Sequence, residues 1–292
     1  MSNGDGIGTG IGTLSVRLEP FRQQLEATVR PFIRIFPSLC QGMAGETTGE
    51  TSAKTMGTKL WQSKFCGDPY QPKDEPYPRD EFDDPLVLLA QINFAEVPSL
   101  TDYPTEGLLQ FFISGMNDLY GMNLDGDFID MAQQTNFRVR YFPTIVKDES
   151  QLCTDFSFIS EDHKVYLPAV QECVLAFSLS AEMVPIGDYN FERLLGKEFM
   201  SQFGDAEEQV KQEFWDQANA QGHKIGGYAY FTQDDIRHCA PEGEDWVLLL
   251  QMDTDDAVDI LWGDAGVGGF FIKRGDLQRR DFSQVIYNWD CG

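Results

Sequence analysis

A β-rich α+β fold is predicted, with two similar antiparallel β-units fused into one body and helices inserted between them. Three observations predict it. Short apolar or alternating runs bounded by turn residues recur from Trp61 to the C-terminus. From Trp61 onward only two stretches carry a helical period, and they lie together near residues 190–222. The strand-rich blocks on either side of them also resemble one another, segment by segment and in the same order.

The elements follow in chain order. Residues 1–13 are Gly, Thr and Ser with little to bury, and read as a flexible tail. They contain no G-x-G-x-x-G frame and follow no strand, so no dinucleotide loop is expected there. Leu14, Leu18, Phe21, Leu25 and Val29 recur at three- and four-residue steps and predict an amphipathic helix, with Pro20 as a kink or late start. "RPFIRIFPS" then reads as a strand, and 41–57 as a polar low-complexity loop. Seven further strands are expected at "LVLLAQI", "GLLQFFI", "NFRVRYF", "QECVLAFSL", "DWVLLLQM", "GGFFI" and "SQVIYNW". The first inserted helix, "NFERLLGKEFMSQF", gathers Phe191, Leu194, Leu195, Phe199 and Phe203 on one side. The second has Asp205 as candidate N-cap, a stripe of Val210, Phe214 and Ala218, and Gly222 as its stop.

Four pairs of segments match in order: 64–70 with 224–230, 87–93 with 247–253, 111–119 with 270–277, and 138–141 with 284–287. The first two share one offset without a gap. Residues 14–292 are therefore read as a single domain containing an internal duplication, about 59–145 and 220–292. A unit that leaves one sheet face apolar must cover it, and its twin is the natural cover. Gly107, at the start of the run that leads to Phe111 and Phe112, and Gly269, directly before Phe270 and Phe271, read as turn glycines.

Composition bounds the function. Lys+Arg is 22 and Asp+Glu is 47, a formal charge of −25. Such a field repels nucleic acid and anionic lipid and favours a cationic partner, here a basic protein. Six cysteines form no C-x-x-C pair and no zinc spacing. The start of the chain lacks the basic and apolar regions of a signal peptide, and no run reaches the roughly 18 apolar residues of a membrane span. The expectation is a cytoplasmic protein with reduced thiols.

Catalytic patterns are absent. There is no G-x-S-x-G elbow, no paired-histidine metal spacing and no Gly-Lys-Ser/Thr loop. "LDGDFID" and "DTDDAVD" resemble calcium loops only in their acids, lacking the glycine and the closing glutamate. No metal and no cofactor is expected. The most individual cluster is Gln233, Asp235, Arg237, Gln251, Asp253, Trp262, Asp264 and Asp290, each at the end of an expected strand or in the following turn. Two readings stand side by side. One is a polar network in which Arg237 pairs with a carboxylate and the glutamines satisfy loop backbone. The other is a recognition pocket, with Trp262 as a stacking face and the acids taking a cation.

"SKFCGDPY", "LAQINFAEVP", "GLLQFFI", "NFRVRYF", "HKIGGYAYFTQDDIR", "LLLQMD", "WGDAGVGGFFI" and "YNWDCG" resemble the bacterial YwqG family, a domain of unknown function (DUF1963), over about 33–292. Ala229 and Ile236 depart from prolines usual in that family, and Cys66-Gly67 from a Gly-Gly pair. The resemblance implies a cytosolic β-rich α+β protein with no established reaction. It also implies that some relatives are suspected immunity proteins encoded beside toxins. Three functions follow as expectations. The first is a non-catalytic acidic protein capturing a basic protein. The second is a small-molecule binder or enzyme using the Trp262, Asp264 and Arg237 region. The third is a scaffold with no site.

Overall fold

A computed structural model describes residues 11–40, 57–124 and 126–292. The expected tail 1–13 and polar loop 41–57 lie outside the described residues except for 11–13 and 57. In chain order the strands are β1 (Arg30–Leu39), β2 (Lys64–Phe65), β3 (Val87–Asn93), β4 (Leu108–Ile113), β5 (Phe137–Phe142), β6 (Cys173–Glu182), β7 (Lys224–Gly226), β8 (Trp246–Asp253), β9 (Val267–Lys273) and β10 (Ile286–Asp290). They form one antiparallel sheet in the order β10-β9-β8-β7-β1-β6-β2-β3-β4-β5. The two edges curl toward each other: the rings of Phe137 in β5 and Tyr287 in β10 lie 5.4 Å apart. The sheet is thus a nearly closed, barrel-like body, which leaves little exposed edge.

The centre of the sheet is the long β1–β6 pair, which joins ten residues of each strand. β7 docks on β1, and β2 docks on β6. Each flank is therefore seeded by a strand from the other half of the chain. The first flank is β2-β3-β4-β5 and the second is β7-β8-β9-β10. Both are buried on both sheet faces at their middle strands, which is why "VLLAQIN" and "VLLLQMD" read as continuous apolar runs rather than alternating ones.

The flanks share their irregularities. The β3–β4 register shifts between Leu88 and Ala90, and the β8–β9 register between Leu248 and Leu250. Gln91 accepts from the Tyr70 N–H and donates to the carbonyls of Leu60 and Gln62. Gln251 accepts from the Tyr230 N–H and donates to the carbonyls of Ala220 and Gly222. Phe111 and Phe270 meet inside the barrel, ring centroids 4.7 Å apart. At the outer strands the pairing departs from the sequence match: Phe111 faces Val139 and Phe270 faces Tyr287, so 139 corresponds to 287 and not to 285. Gly107 precedes β4 with a left-handed φ of +81°, as a turn glycine does. Gly269, by contrast, lies inside β9, where its missing side chain makes room for the Phe271 ring.

The helices are shorter than their periods suggest. Pro20 starts a 3₁₀ turn, Glu19–Phe21, that leads into α1 (Arg22–Glu26), while Leu14 and Leu18 are buried ahead of any helix. The expected helix at 190–203 ends early as α2 (Phe191–Leu195), because Gly196 turns the chain at φ +93°. A 3₁₀ stretch, Ser201–Ala206, then enters α3 (Glu207–Trp215). Asp205 does not cap α3, and Gly222 does not stop it; Gly222 instead gives its N–H to Asp253. Together these helices bury Leu25, Phe191, Phe199, Val210, Phe214 and Tyr228 in a second core against the sheet. The last helix, α4 (Arg274–Arg279), follows β9. Among the described residues no helix is long and apolar enough to cross a membrane. All six cysteines are free thiols.

Candidate functional site

The eight residues singled out in the sequence fall into four separate places. Arg237 is buried and holds two carboxylates: Asp235 by Nε and Nη2 at 2.9 and 2.7 Å, and Asp188 by Nη2 at 2.8 Å. Its guanidinium lies 4.4 Å from the Tyr189 ring centroid and 5.2 Å from that of Phe271. Burial alone would pull its pKa down, but the Asp188 and Asp235 charges outweigh this and raise it. Asp235 also accepts from the backbone N–H groups of Tyr189 and Arg237. Every charge in this network has its partner inside it, so it ties the 188–190 turn to β8, beside a cavity of about 550 Å³ that Arg30, Arg193 and His238 also line.

Gln251 and Asp253 are used on the backbone near β7. Asp253 accepts from the Gly222 and Thr254 N–H groups, and burial raises its carboxyl pKa against these bonds. The neighbouring His223 accepts the Asp253 N–H at Nδ1 and faces Asp255 through Nε2 at 3.3 Å. Burial lowers its pKa, opposed by the neighbouring Asp255.

Trp262 is completely buried among Tyr120, Tyr287 and Trp289, with its ring over Gly268. It offers no stacking face, so the expectation of a Trp262 recognition surface is not met. Asp264 is exposed at the corner, where its carbonyl accepts from the C-terminal Gly292 N–H. The glycine-rich corner is architecture: it lets an indole sit against the backbone of β9.

Gln233 and Asp290 belong to a cleft of about 420 Å³. Residues 122–124 and 126–131, the segment 233–239 and the end of β10 form it. Asp290 is buried, accepts from Thr232 N, Thr232 Oγ1 and Gln233 N, and thereby pins the 232–233 turn to β10. Burial raises its pKa, opposed by those same bonds. Asp234 and Asp127 stand exposed at the mouth, and Phe128, Met131 and Trp289 form an apolar wall. Phe128 is fixed edge-on against Trp246, centroids 5.2 Å apart, and Trp289 donates its Nε1–H to the Leu119 carbonyl. Among the described residues no lysine, arginine or histidine lines the cleft. Three carboxylates over an apolar wall suit a group with a cationic head and an apolar stem.

Sequence reasoning found two of these residues and missed the rest. Asp127 and Phe128 were visible only as part of a failed calcium loop, and Asp234 and Trp289 as neighbours of flagged positions. Among the described residues no group of three or more His, Cys, Asp or Glu is placed to hold a metal ion.

The fold and the cleft define a class: a β-rich α+β protein whose antiparallel sheet is nearly closed and whose β10 end carries an acidic, apolar-walled groove. Residues 63–291 match the family model described as Domain of unknown function (DUF1963), and the chain belongs to that family. None of the curated proteins compared with the chain matches it.

Proposed function

We propose that the protein is a non-catalytic, cytoplasmic binding protein that captures a basic protein partner, in the manner of an immunity protein. The cleft at 122–124, 126–131 and 233–239 is the place where a lysine or arginine of that partner enters. The observation that carries this reading is the lining itself: Asp127, Asp234 and Asp290 with no cationic residue among them. A long cationic side chain would lay its stem on Phe128, Met131 and Trp289 and bring its head to Asp234 and Asp127. The net charge of −25 supports it by steering a basic partner toward the molecule. The six free thiols support a reducing compartment. The matched bulges and glutamine networks of the two flanks likewise support reading about 59–145 and 220–292 as copies of one β-unit within a single domain.

The test is titration of the full chain with a lysine/arginine-rich peptide at low and at high salt. The expected result is binding that weakens steeply with salt. It should also weaken by about tenfold in the Asp127→Asn/Asp234→Asn double variant and hold in Glu208→Gln, which lies outside the cleft. Binding that ignores salt, or that treats the two variants alike, overturns the assignment of the cleft.

A further inference from the structure

The first flank has a second cavity, of about 260 Å³, beside the turn that follows β2. The turn residues 66–69, the start of β3 and the segment 156–172 enclose it. Its apolar part is Leu88, Phe156, Leu167 and Val170; its charged part is Asp68, Lys164 and Glu172.

The corresponding turn of the second flank, 226–229, is filled. Tyr228 stands where Asp68 stands in the first flank, completely buried, with its hydroxyl donating to the Thr28 carbonyl. The adjoining lysines differ in the same sense. Lys224 is saturated by Glu182, with bonds of 2.7 and 2.8 Å. Lys64 is equally buried, but its nearest acceptors are the Asp68 carbonyl at 2.9 Å and Glu172 Oε1 at 3.5 Å. A turn that only had to close the sheet would be packed like 226–229. The first flank instead keeps a void with charges of both signs at its wall.

Glu172 is partly used, its Oε1 accepting from the Thr58 N–H and hydroxyl and facing Lys64, while its Oε2 stays available. Asp68 stands exposed at the rim of the cavity, where among the described residues no group donates to its carboxylate, and Lys64, Lys164 and Glu172 act on it electrostatically. Lys164 is held only by Glu161, a surface ion pair at 3.0 Å of the kind that contributes little and exchanges easily. A simple anion would meet Asp68 and Glu172, and a simple amine would leave Lys164 facing it. A molecule carrying both charges satisfies both. The volume falls just under the roughly 300 Å³ at which drug-sized pockets begin, so it suits one small metabolite rather than a peptide or nucleotide.

We infer that this cavity binds a free α-amino acid with an apolar side chain. The ammonium group sits at Asp68 and Glu172, the carboxylate at Lys164, and the side chain on Leu88, Phe156, Leu167 and Val170. The site is separate from the acidic cleft, so its variants leave the binding of a basic peptide unchanged.

Calorimetric titration of the full chain with leucine and phenylalanine, and with N-acetyl-leucine and leucinamide, tests the inference. The free amino acids should bind, and blocking either end should weaken binding at least tenfold. Asp68→Asn and Lys164→Gln should each weaken it at least tenfold while the melting temperature of the unliganded protein stays at the wild-type value. Absence of heat with every apolar amino acid overturns the inference. So does equal binding of the blocked compounds, or wild-type affinity in both variants.

Discussion

Tyr77 in the first flank and Arg237 in the second stand at corresponding points, each beside the start of the next strand. Tyr77 donates to the Leu86 carbonyl at 2.9 Å, and Arg237 to the Trp246 carbonyl at 3.4 Å, each at the head of the next strand. Each also faces an aromatic ring of the neighbouring strand, Phe112 or Phe271. The tyrosine does this neutrally. The arginine brings a charge that needs Asp188 and Asp235 to neutralise it. The same division runs through the flanks. Gln110 joins Gln91 in the first, while the matching strand position in the second is Gly269, roofed by Phe271. Leu109 packs in the first where Gly268 lies under Trp262 in the second. The backbone pairing is therefore indifferent to the chemistry that fills it, provided that volume and hydrogen bonds are satisfied. Where the filling is incomplete, at Asp68 in the first flank and around Asp234 in the second, the molecule keeps its cavities.

The contrast is broken hardest at its ionic member. Arg237→Leu leaves two buried carboxylates without a cation and should destabilise the chain by about 3–5 kcal/mol in chemical denaturation. Tyr77→Phe removes one neutral hydrogen bond and should cost about 1 kcal/mol. Equal losses would mean that the Arg237 network does not hold its flank.

The paired lysines sharpen the comparison through pH. Burial, partly offset by Glu182, lowers the Lys224 pKa to about 8. The folded chain then releases this proton near pH 8 and the unfolded chain near its ordinary value of about 10.5. In that window the unfolded state holds more protons, so stability climbs as pH rises, by an amount on the order of 3 kcal/mol. Denaturation of the wild type and Lys224→Met between pH 7.5 and pH 10.5 (roughly the titration window) should show a markedly steeper climb in the wild type. Lys64 is lowered in the same direction, chiefly by burial, and Lys64→Met should remove a contribution of the same sign.

Packing at β9 offers a further contrast between the flanks. A methyl group on Gly268 would sit 2.4 Å from Trp262 Cζ2. Gly268→Ala should therefore cost about 1–3 kcal/mol, with much of the loss recovered in Gly268→Ala/Trp262→Phe. A fully additive pair would show that the indole and the β9 backbone are not in contact.

Much of the sheet was legible. The strands "VLLAQIN", "GLLQFFI", "VLLLQMD" and "GGFFI" appear where their apolar runs lie. Gln251 and Arg237 carry the polar network that one sequence reading assigned to them. The helices were over-read because periodicity does not register a glycine that reverses the chain, as Gly196 does. The site was half legible. Gln233 and Asp290 were visible, but Asp127, Phe128 and Met131 join them only because the loop after β4 folds against β10, some 160 residues later in the chain. Of the two readings open for Trp262, the one that gave it a stacking face is the one its burial disfavours. A tryptophan beside glycines marks an accessible ring or a buried one equally well until the opposing backbone is known.

By itself the amino-acid order determined the β-rich character, the likeness of the two strand blocks and the strongly acidic balance. Each of these depends on local alternation, on residue identity or on a simple sum of charges. Tertiary structure alone decided that β1 and β6 exchange flanks and that Phe111 meets Phe270 inside the barrel. It alone decided which carboxylates are neutralised and which face a cleft. Those outcomes depend on contacts between residues far apart in the chain, and no local pattern encodes which distant partner will occupy a given volume.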